Sequence, residues 1–565
     1  MVLGTNVTFE VIKYTSIFIA EEMGIVLRNT AYSPNIKDRL DHSCAILSPQ
    51  GGLVAQAEHI PVHLGSMAIG VKNTIEYLKK MEEELQEGDV VIVNDPYIAG
   101  THLNDILLLK PVYYNGDMVA IVANKAHHVD IGGIVPGSIG GNAREMLQEG
   151  LVIPPLKIVK NGRIQKDIIR LIEANVRTPK YLHGDLRAQI ASLNVGEKRI
   201  KEMIMKYGKD TVLNAWRELL DYVERYTKSK IREHGKPGIY EAEDYIELSD
   251  NTLAKIKVKV KVEEESIIVD YNGTNKQVNE PVNAVYGVTV AATTFALKSV
   301  IDPEMPMNHG FYRVVKIGAP LGSLVNPKPP APVSGGNVET SQRIVDVVFL
   351  ALAQGFPGRV PAASCGSMNN VMVGGVHPEG TTWAFYETVG GGSGGRPGAD
   401  GVDGVHTNMT NTLNTPIEIL EKEYPILFMA YSLRQDSCGA GEYRGGLGIT
   451  RAFKVLEDNV VLTIMAERVR TRPWGLMGGK PGAPGYHYVI RANGTKIVLK
   501  SKDTIVLGKG DIVYINTPGG GGYGPPELRD RRKIVKDLIE ERISQEHAKQ
   551  EYKQVIIEID SNNKN

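Results

Sequence analysis

Near the N-terminus the apolar positions recur at helical spacing. Across residues 8–30, Val11, Ile12, Ile17 and Ile19 repeat as a helix would place them, with Asn6 or Thr8 available as a cap. Shorter apolar runs at 43–47, 53–57 and 90–93 predict strands, and 65–81 predicts a helix between them. Runs at 106–114 and 118–124 are separated by Asn115-Gly116, the strongest short-range signal for a β-hairpin. A charged, helically patterned stretch over 196–231 ends at His234-Gly235-Lys236-Pro237, which marks a boundary.

Beyond that boundary the texture changes. Residues 255–262 alternate apolar and basic side chains and 266–271 follow as a second strand, whereas 282–301 return to a helical pattern. Asn326-Pro327-Lys328-Pro329-Pro330-Ala331-Pro332 reads as a stiff, extended linker. Residues 333–525 are Gly-rich with short strands, including 460–465 and 495–499, and the charged tail after 526 is helical. The predicted fold is a mixed α+β, multi-domain protein: a Gly-rich, β-containing core with peripheral helices and a helical C-terminal tail. The expected divisions are 1–237 for an N-terminal domain with the candidate metal site, 238–332 for a β-rich middle domain and linker, 333–525 for a Gly-rich α/β domain and 526–565 for the tail.

Composition narrows the function classes. The chain has 565 residues, 42% of them apolar and 23% charged, which is ordinary for a globular protein and excludes wholesale disorder. Lys plus Arg total 64 against 65 for Asp plus Glu, so no overall basic footprint for nucleic acid exists. Three widely spaced cysteines, Cys44, Cys365 and Cys438, exclude a disulfide framework and a Cys-rich zinc module. Neither a signal-peptide pattern nor an apolar run of membrane length is present, so the expected compartment is the cytoplasm, without a membrane partner.

Glycine is the outlier, with 60 residues gathered in blocks. Val389 to Arg396 contains five glycines but not the G-x-x-x-x-G-K-[ST] phosphate loop, and 519–522 lacks a dinucleotide-binding context. A lid or anion nest is one reading of the first block; flexible or tightly turned loops are the favoured reading of both.

The chemistry gathers around the hairpin. His102 and Asp105 precede its first strand, and His127 and His128 end its second. A two-residue turn at Asn115-Gly116 would set Asn104 opposite His127 and Asp105 opposite Ala126, so Asp105 and His127 would share a face only if a bulge or a ladder break intervened. Two imidazoles and a carboxylate suit Zn²⁺, Mn²⁺ or Fe²⁺. Asp41 is a candidate fourth ligand, and Glu58, His59 and His63 are candidate acids, bases or substrate contacts. The polar run from Ser334 to Arg343 either meets a ligand, through Asn337, Ser341 and Arg343, or caps the apolar helix that follows.

Several long segments in order resemble the hydantoinase B/oxoprolinase family over nearly the whole chain. They are Arg39-Leu40-Asp41-His42-Ser43-Cys44, the run from Ala57 to Met67, Asn94-Asp95-Pro96-Tyr97, Gly100 to Asp105, Ala126 to Gly133, Gly336 to Arg343 and Thr517 to Gly524. The resemblance implies a division of labour. A separate A-type subunit with an actin-like ATPase fold binds ATP and phosphorylates an enol or lactam oxygen, and the B-type subunit holds a divalent metal and completes the reaction. In related carboxylases the ligands follow a His-x-x-Asp…His pattern, which falls here on His102, Asp105 and His127, with Asp41 as the fourth. The implied activity is ATP-dependent hydrolysis of a cyclic amide of the hydantoin or 5-oxoproline type, with His128, Glu58 and His59 as catalytic candidates. The implied assembly is a hetero-oligomer, (AB)₂ or larger. Rival expectations are a subunit of an acetone- or acetophenone-type carboxylase and a non-catalytic scaffold for the A-type subunit.

Overall fold

The computed structural model describes residues 2–57 and 59–552. Its first sheet comprises β1 (His42–Leu47), β2 (Leu53–Gln56), β3 (Val90–Val93), β4 (Asp105–Tyr114), β5 (Asp117–His127), β6 (Leu156–Lys160) and β7 (Arg163–Ile164), in the order β2-β1-β5-β4-β3-β6-β7. Central strands buried on both faces read as continuous apolar runs rather than as alternation, and 119–123 of β5 is such a run. One face, with Ile121 and Ala123, packs against the helix Pro61–Lys80. The other, with Val122 and Ala126, packs against the helices Val2–Thr30 and Pro179–Tyr207. Since Val2–Thr30 starts ahead of Asn6 and Thr8, neither caps it.

The hairpin between β4 and β5 contains the bulge that the sequence required. Tyr113 pairs with Met118 and Val112 with Ala120, so Val119 is the extra residue. Beyond it the register moves by one, and Asp105 stands directly opposite His127. The helical pattern over 196–231 is two helices, Pro179–Tyr207 and Lys209–His234, hinged at Gly208 with φ of 87°. Both helices are charged and amphipathic, which hides the break from a periodicity argument.

A second sheet follows in the order β11-β10-β9-β8, from β8 (Gly238–Glu247), β9 (Leu253–Val262), β10 (Ile267–Asp270) and β11 (Val315–Gly318). Alternation in β9 buries Ala254, Ile256, Val258, Val260 and Val262 in a core shared with the helices Tyr286–Ile301 and Ser341–Gly355. The Pro-rich segment is tied down rather than free: Tyr97 Oη donates to the Lys328 and Ala331 carbonyls, and Asn283 Nδ2 to the Pro332 carbonyl.

The remaining strands are β12 (Asn370–Val376), β13 (Thr382–Thr388), β14 (Ile426–Leu433), β15 (Ile449–Val455), β16 (Val460–Met465), β17 (Tyr488–Ile490), β18 (Lys496–Val498), β19 (Lys502–Leu507) and β20 (Ile512–Asn516). They form two further sheets, β13-β12-β16-β19 and β14-β15-β20-β17-β18. Beside them the glycine blocks are neither flexible loops nor an anion nest. Gly392, Gly395, Gly446 and Gly520 lie in extended segments that hydrogen-bond one another directly, as in Gly395 N to Gly521 O and Gly520 N to Gly446 O. A methyl group on Gly520 would stand 1.9 Å from the Ser393 carbonyl oxygen, and one on Gly392 1.9 Å from that of Gly446. Close approach of backbones, rather than a positive φ, dictates glycine here.

The tail docks through the helices Arg531–Ile539 and Gln545–Tyr552, where Ile534, Ala548 and Tyr552 cluster with Cys438, Ala440 and Leu447. No helix among the described residues is long and apolar enough to cross a membrane.

Candidate metal centre

Where β4 begins and β5 ends, the register brings His102, Asp105 and His127 together. Asp105 Oδ1 lies 3.1 Å from His102 Nε2 and 3.2 Å from His127 Nδ1, and the two ring nitrogens are 3.2 Å apart. All three residues are buried. Two neutral imidazoles supply at most two protons to this triangle, so its three contacts cannot all be hydrogen bonds. A cation at its centre satisfies all three lone pairs. Donors about 2.0–2.2 Å from a common ion lie roughly 3.0–3.5 Å from one another, which matches the spacing seen.

The protonation states suit the same role. Burial alone would raise the Asp105 carboxyl, but the facing imidazoles of His102, His63 and His127 outweigh it and hold the group well below the usual carboxylate range. Burial lowers His127, against the pull of Asp41 and Asp105.

Asp41 stands beside this triangle. Leu40 before it takes a left-handed φ of 61°, a strained turn, and the His127 amide donates to the Asp41 carbonyl at 3.0 Å. His63, in the first turn of the helix Pro61–Lys80, joins the carboxylates: its Nε2 is 3.2 Å from Asp105 Oδ1 and 3.9 Å from Asp41 Oδ1. Asn337 approaches from a single π-helical turn, Gly336–Thr340, and donates to Asp105 Oδ2 at 3.3 Å. Asp41, His63, His127 and Asn337 all border a cavity of about 20 Å³, room for one water-sized group.

Beneath the site Lys125 is fully buried and donates to Ser66, Thr101 and the Ala99 carbonyl. Burial lowers its ammonium to about 8, with Asp105 opposing.

Other candidates fall elsewhere. Glu58 lies outside the described residues. His59 stands across the wall, tilted against His42 with centroids 5.1 Å apart and near Glu21. It borders a second cavity of about 340 Å³ with Leu64, Phe295 and Asn408. Thr410 borders both cavities, and the segment from His59 to His63 separates them. His128 follows the end of β5, and its Nε2 lies 3.0 Å from Gln189 Oε1, outside the triangle. Ser341 Oγ donates to the Asn337 carbonyl and so supports Asn337. The Arg343 guanidinium faces Asp346, Glu467 and Asp244 and donates to the Tyr245 carbonyl.

Sequence reasoning missed Tyr386, from β13, whose ring stacks on His127 at 4.6 Å. No local signal marks it, because the contact joins residues remote in the chain.

The chain is 61% identical to an uncharacterised protein of Methanocaldococcus jannaschii over 98% of this chain and 97% of that one. It is 38% identical to 5-oxoprolinase 1 of Arabidopsis thaliana over 90% of this chain but 41% of that protein, so it spans about two-fifths of that relative's length. The putative B-type subunit of a D-/L-hydantoinase from a Pseudomonas species is 32% identical, covering 94% of this chain and 92% of its own. Among solved structures, the ATP-dependent caprolactamase of Pseudomonas jessenii superposes with a TM-score of 0.90 at 29% identity, covering 98% of this chain and 97% of that one. A family model described as hydantoinase B/oxoprolinase matches residues 5–526, and the chain belongs to that family.

Proposed function

We propose that this chain is the metal-bearing, hydrolytic component of an ATP-dependent hydrolase of cyclic amides of the hydantoin or 5-oxoproline type. The observation that carries the reading is the buried triangle of His102, Asp105 and His127 beside Asp41, at the edge of a cavity of about 20 Å³. His102 Nε2, Asp105 Oδ1 and His127 Nδ1 would hold a divalent cation, with Asp41 as the fourth donor. Such an ion polarises a carbonyl and lowers the pKa of water beside it.

This chain's own residues do the rest. Asn337 fixes the rotation of the Asp105 carboxylate, and Ser341 fixes Asn337. His63, between Asp105 and Asp41 at the small cavity, is the group placed to accept or return a proton at Nε2. The ring would enter from the cavity of about 340 Å³, which His59, Asn408, Leu64 and Phe295 line and which shares Thr410 with the small cavity at the triangle.

The partner is an ATPase subunit that activates the amide oxygen by phosphorylation, and the assembly is a hetero-oligomer. The hydantoinase relative is named as one subunit of its enzyme, and the plant 5-oxoprolinase carries the matching region as about two-fifths of a longer chain. The test is reconstitution: this chain, an A-type ATPase subunit, ATP and a panel containing 5-oxoproline and substituted hydantoins. Ring opening that needs both proteins and ATP is expected. Bicarbonate fixation in place of ring opening, or turnover by the ATPase subunit alone, would contradict the reading.

A further inference from the structure

A metal-ligating imidazole is ordinarily oriented by a hydrogen bond from its second ring nitrogen. Among the described residues His127 has no such partner. Its Nδ1 faces Asp105 and His102, and its Nε2 is buried without a protein partner. What lies flat against the ring is Tyr386, with centroids 4.6 Å apart and planes 13° from parallel.

Tyr386 is itself held from several directions. Its Oη donates to Asn370 Oδ1 at 2.9 Å, and Asn370 Nδ2 is fixed by Glu339 Oε1 at 2.7 Å and by the Met465 carbonyl at 2.9 Å. Arg39 donates to the Tyr386 carbonyl at 3.2 Å, and its guanidinium carbon lies 4.8 Å from the Tyr386 ring centroid. The same arginine donates to Thr388 Oγ1 at 2.8 Å and faces Asp41 at 3.9 Å. The π-helical turn that supplies Glu339 also supplies Asn337, which reaches Asp105. Two donors of the triangle are therefore oriented by the C-terminal half of the chain.

We propose that Tyr386 is a positioning residue for the metal centre: its ring, fixed by Asn370 and Arg39, sets the plane of His127 in place of a hydrogen bond from Nε2. This rests on the metal reading of the triangle. A hydroxyl-free ring retains the stack, whereas an aliphatic side chain of similar bulk fills the space without defining a plane.

The test is metal affinity, measured on the folded full-length chain by competition with a chromophoric chelator, together with the visible absorption of the Co²⁺-loaded protein. Tyr386→Leu and Tyr386→Met are expected to bind metal about 10–100-fold more weakly, the range for loss of an orienting partner, and to alter the cobalt spectrum. Tyr386→Phe is expected to recover most of the affinity and the wild-type spectrum. A merely structural role would lower thermal stability and leave affinity and spectrum unchanged, and that result in either aliphatic variant would overturn the proposal. The two variants guard against one failing to fold. Wild-type protein that binds no metal would overturn the metal reading as well, so the two failures are distinguishable.

Discussion

Single side chains decide the chemistry, and their protonation follows from burial. His487 shows the effect away from the site: it is fully buried, neither ring nitrogen has a partner among the described residues, and burial, assisted by Arg434, lowers it to about 4. The unfolded chain therefore takes up a proton that the folded chain refuses. The contribution of neutral His487 is fully present above about pH 6.5 and is lost as pH falls toward 4. Replacing it isolates that contribution. Between pH 7 and pH 4 the wild type should lose about 3 kcal/mol of stability relative to His487→Leu, read from denaturant titrations at each pH. Parallel pH profiles would contradict this. Asn337 provides a second test at this scale. Asn337→Leu removes the donor to Asp105 Oδ2 and should weaken metal binding about 10-fold while leaving the fold intact, as chelator competition and circular dichroism would show.

Elements decide where those side chains meet. The bulge at Val119 is one residue in a ladder, yet without it Asp105 would face Ala126 and the triangle would not form. The sequence announced this conflict, since the turn signal at Asn115-Gly116 and the chemistry of Asp105 and His127 demanded different registers. It did not announce the position of the bulge, which depends on the pairing of Tyr113 with Met118. The alternation of β9 and the helical spacing of the N-terminal segment were equally legible, because each reports a single element's buried face. Tyr386 and the Arg343 ion cluster were not, because their partners come from distant segments and no local period encodes them. The glycine blocks misled for a similar reason: composition shows that side chains are absent but not what occupies the space. Gly520→Ala should destabilise the protein by at least about 3 kcal/mol, as backbone oxygen at 1.9 Å cannot yield. Gly508→Ala, whose added methyl meets only the Asp458 carboxylate at 3.4 Å and the Asp511 carboxylate at 3.9 Å, should stay within about 0.5 kcal/mol of wild type. Thermal scans of the two variants side by side check the contrast.

The molecule as a whole joins an N-terminal sheet that carries Asp105 and His127 to a C-terminal half whose Asn337 and Tyr386 contact them. The matching region makes up most of a subunit in the hydantoinase relative and about two-fifths of a longer chain in the plant 5-oxoprolinase. In the proposed division of labour this chain alone should not open an unactivated cyclic amide, and adding the ATPase subunit with ATP should restore turnover. The measurement that tests the central claim most directly is the metal content of this chain in complex with the proposed A-type ATPase subunit, by elemental analysis, for wild type and His102→Ala, alongside ATP-dependent ring opening. The account predicts about one equivalent of a divalent transition metal per wild-type chain, lost in His102→Ala together with activity. A fully active wild-type complex that carries no metal would contradict it.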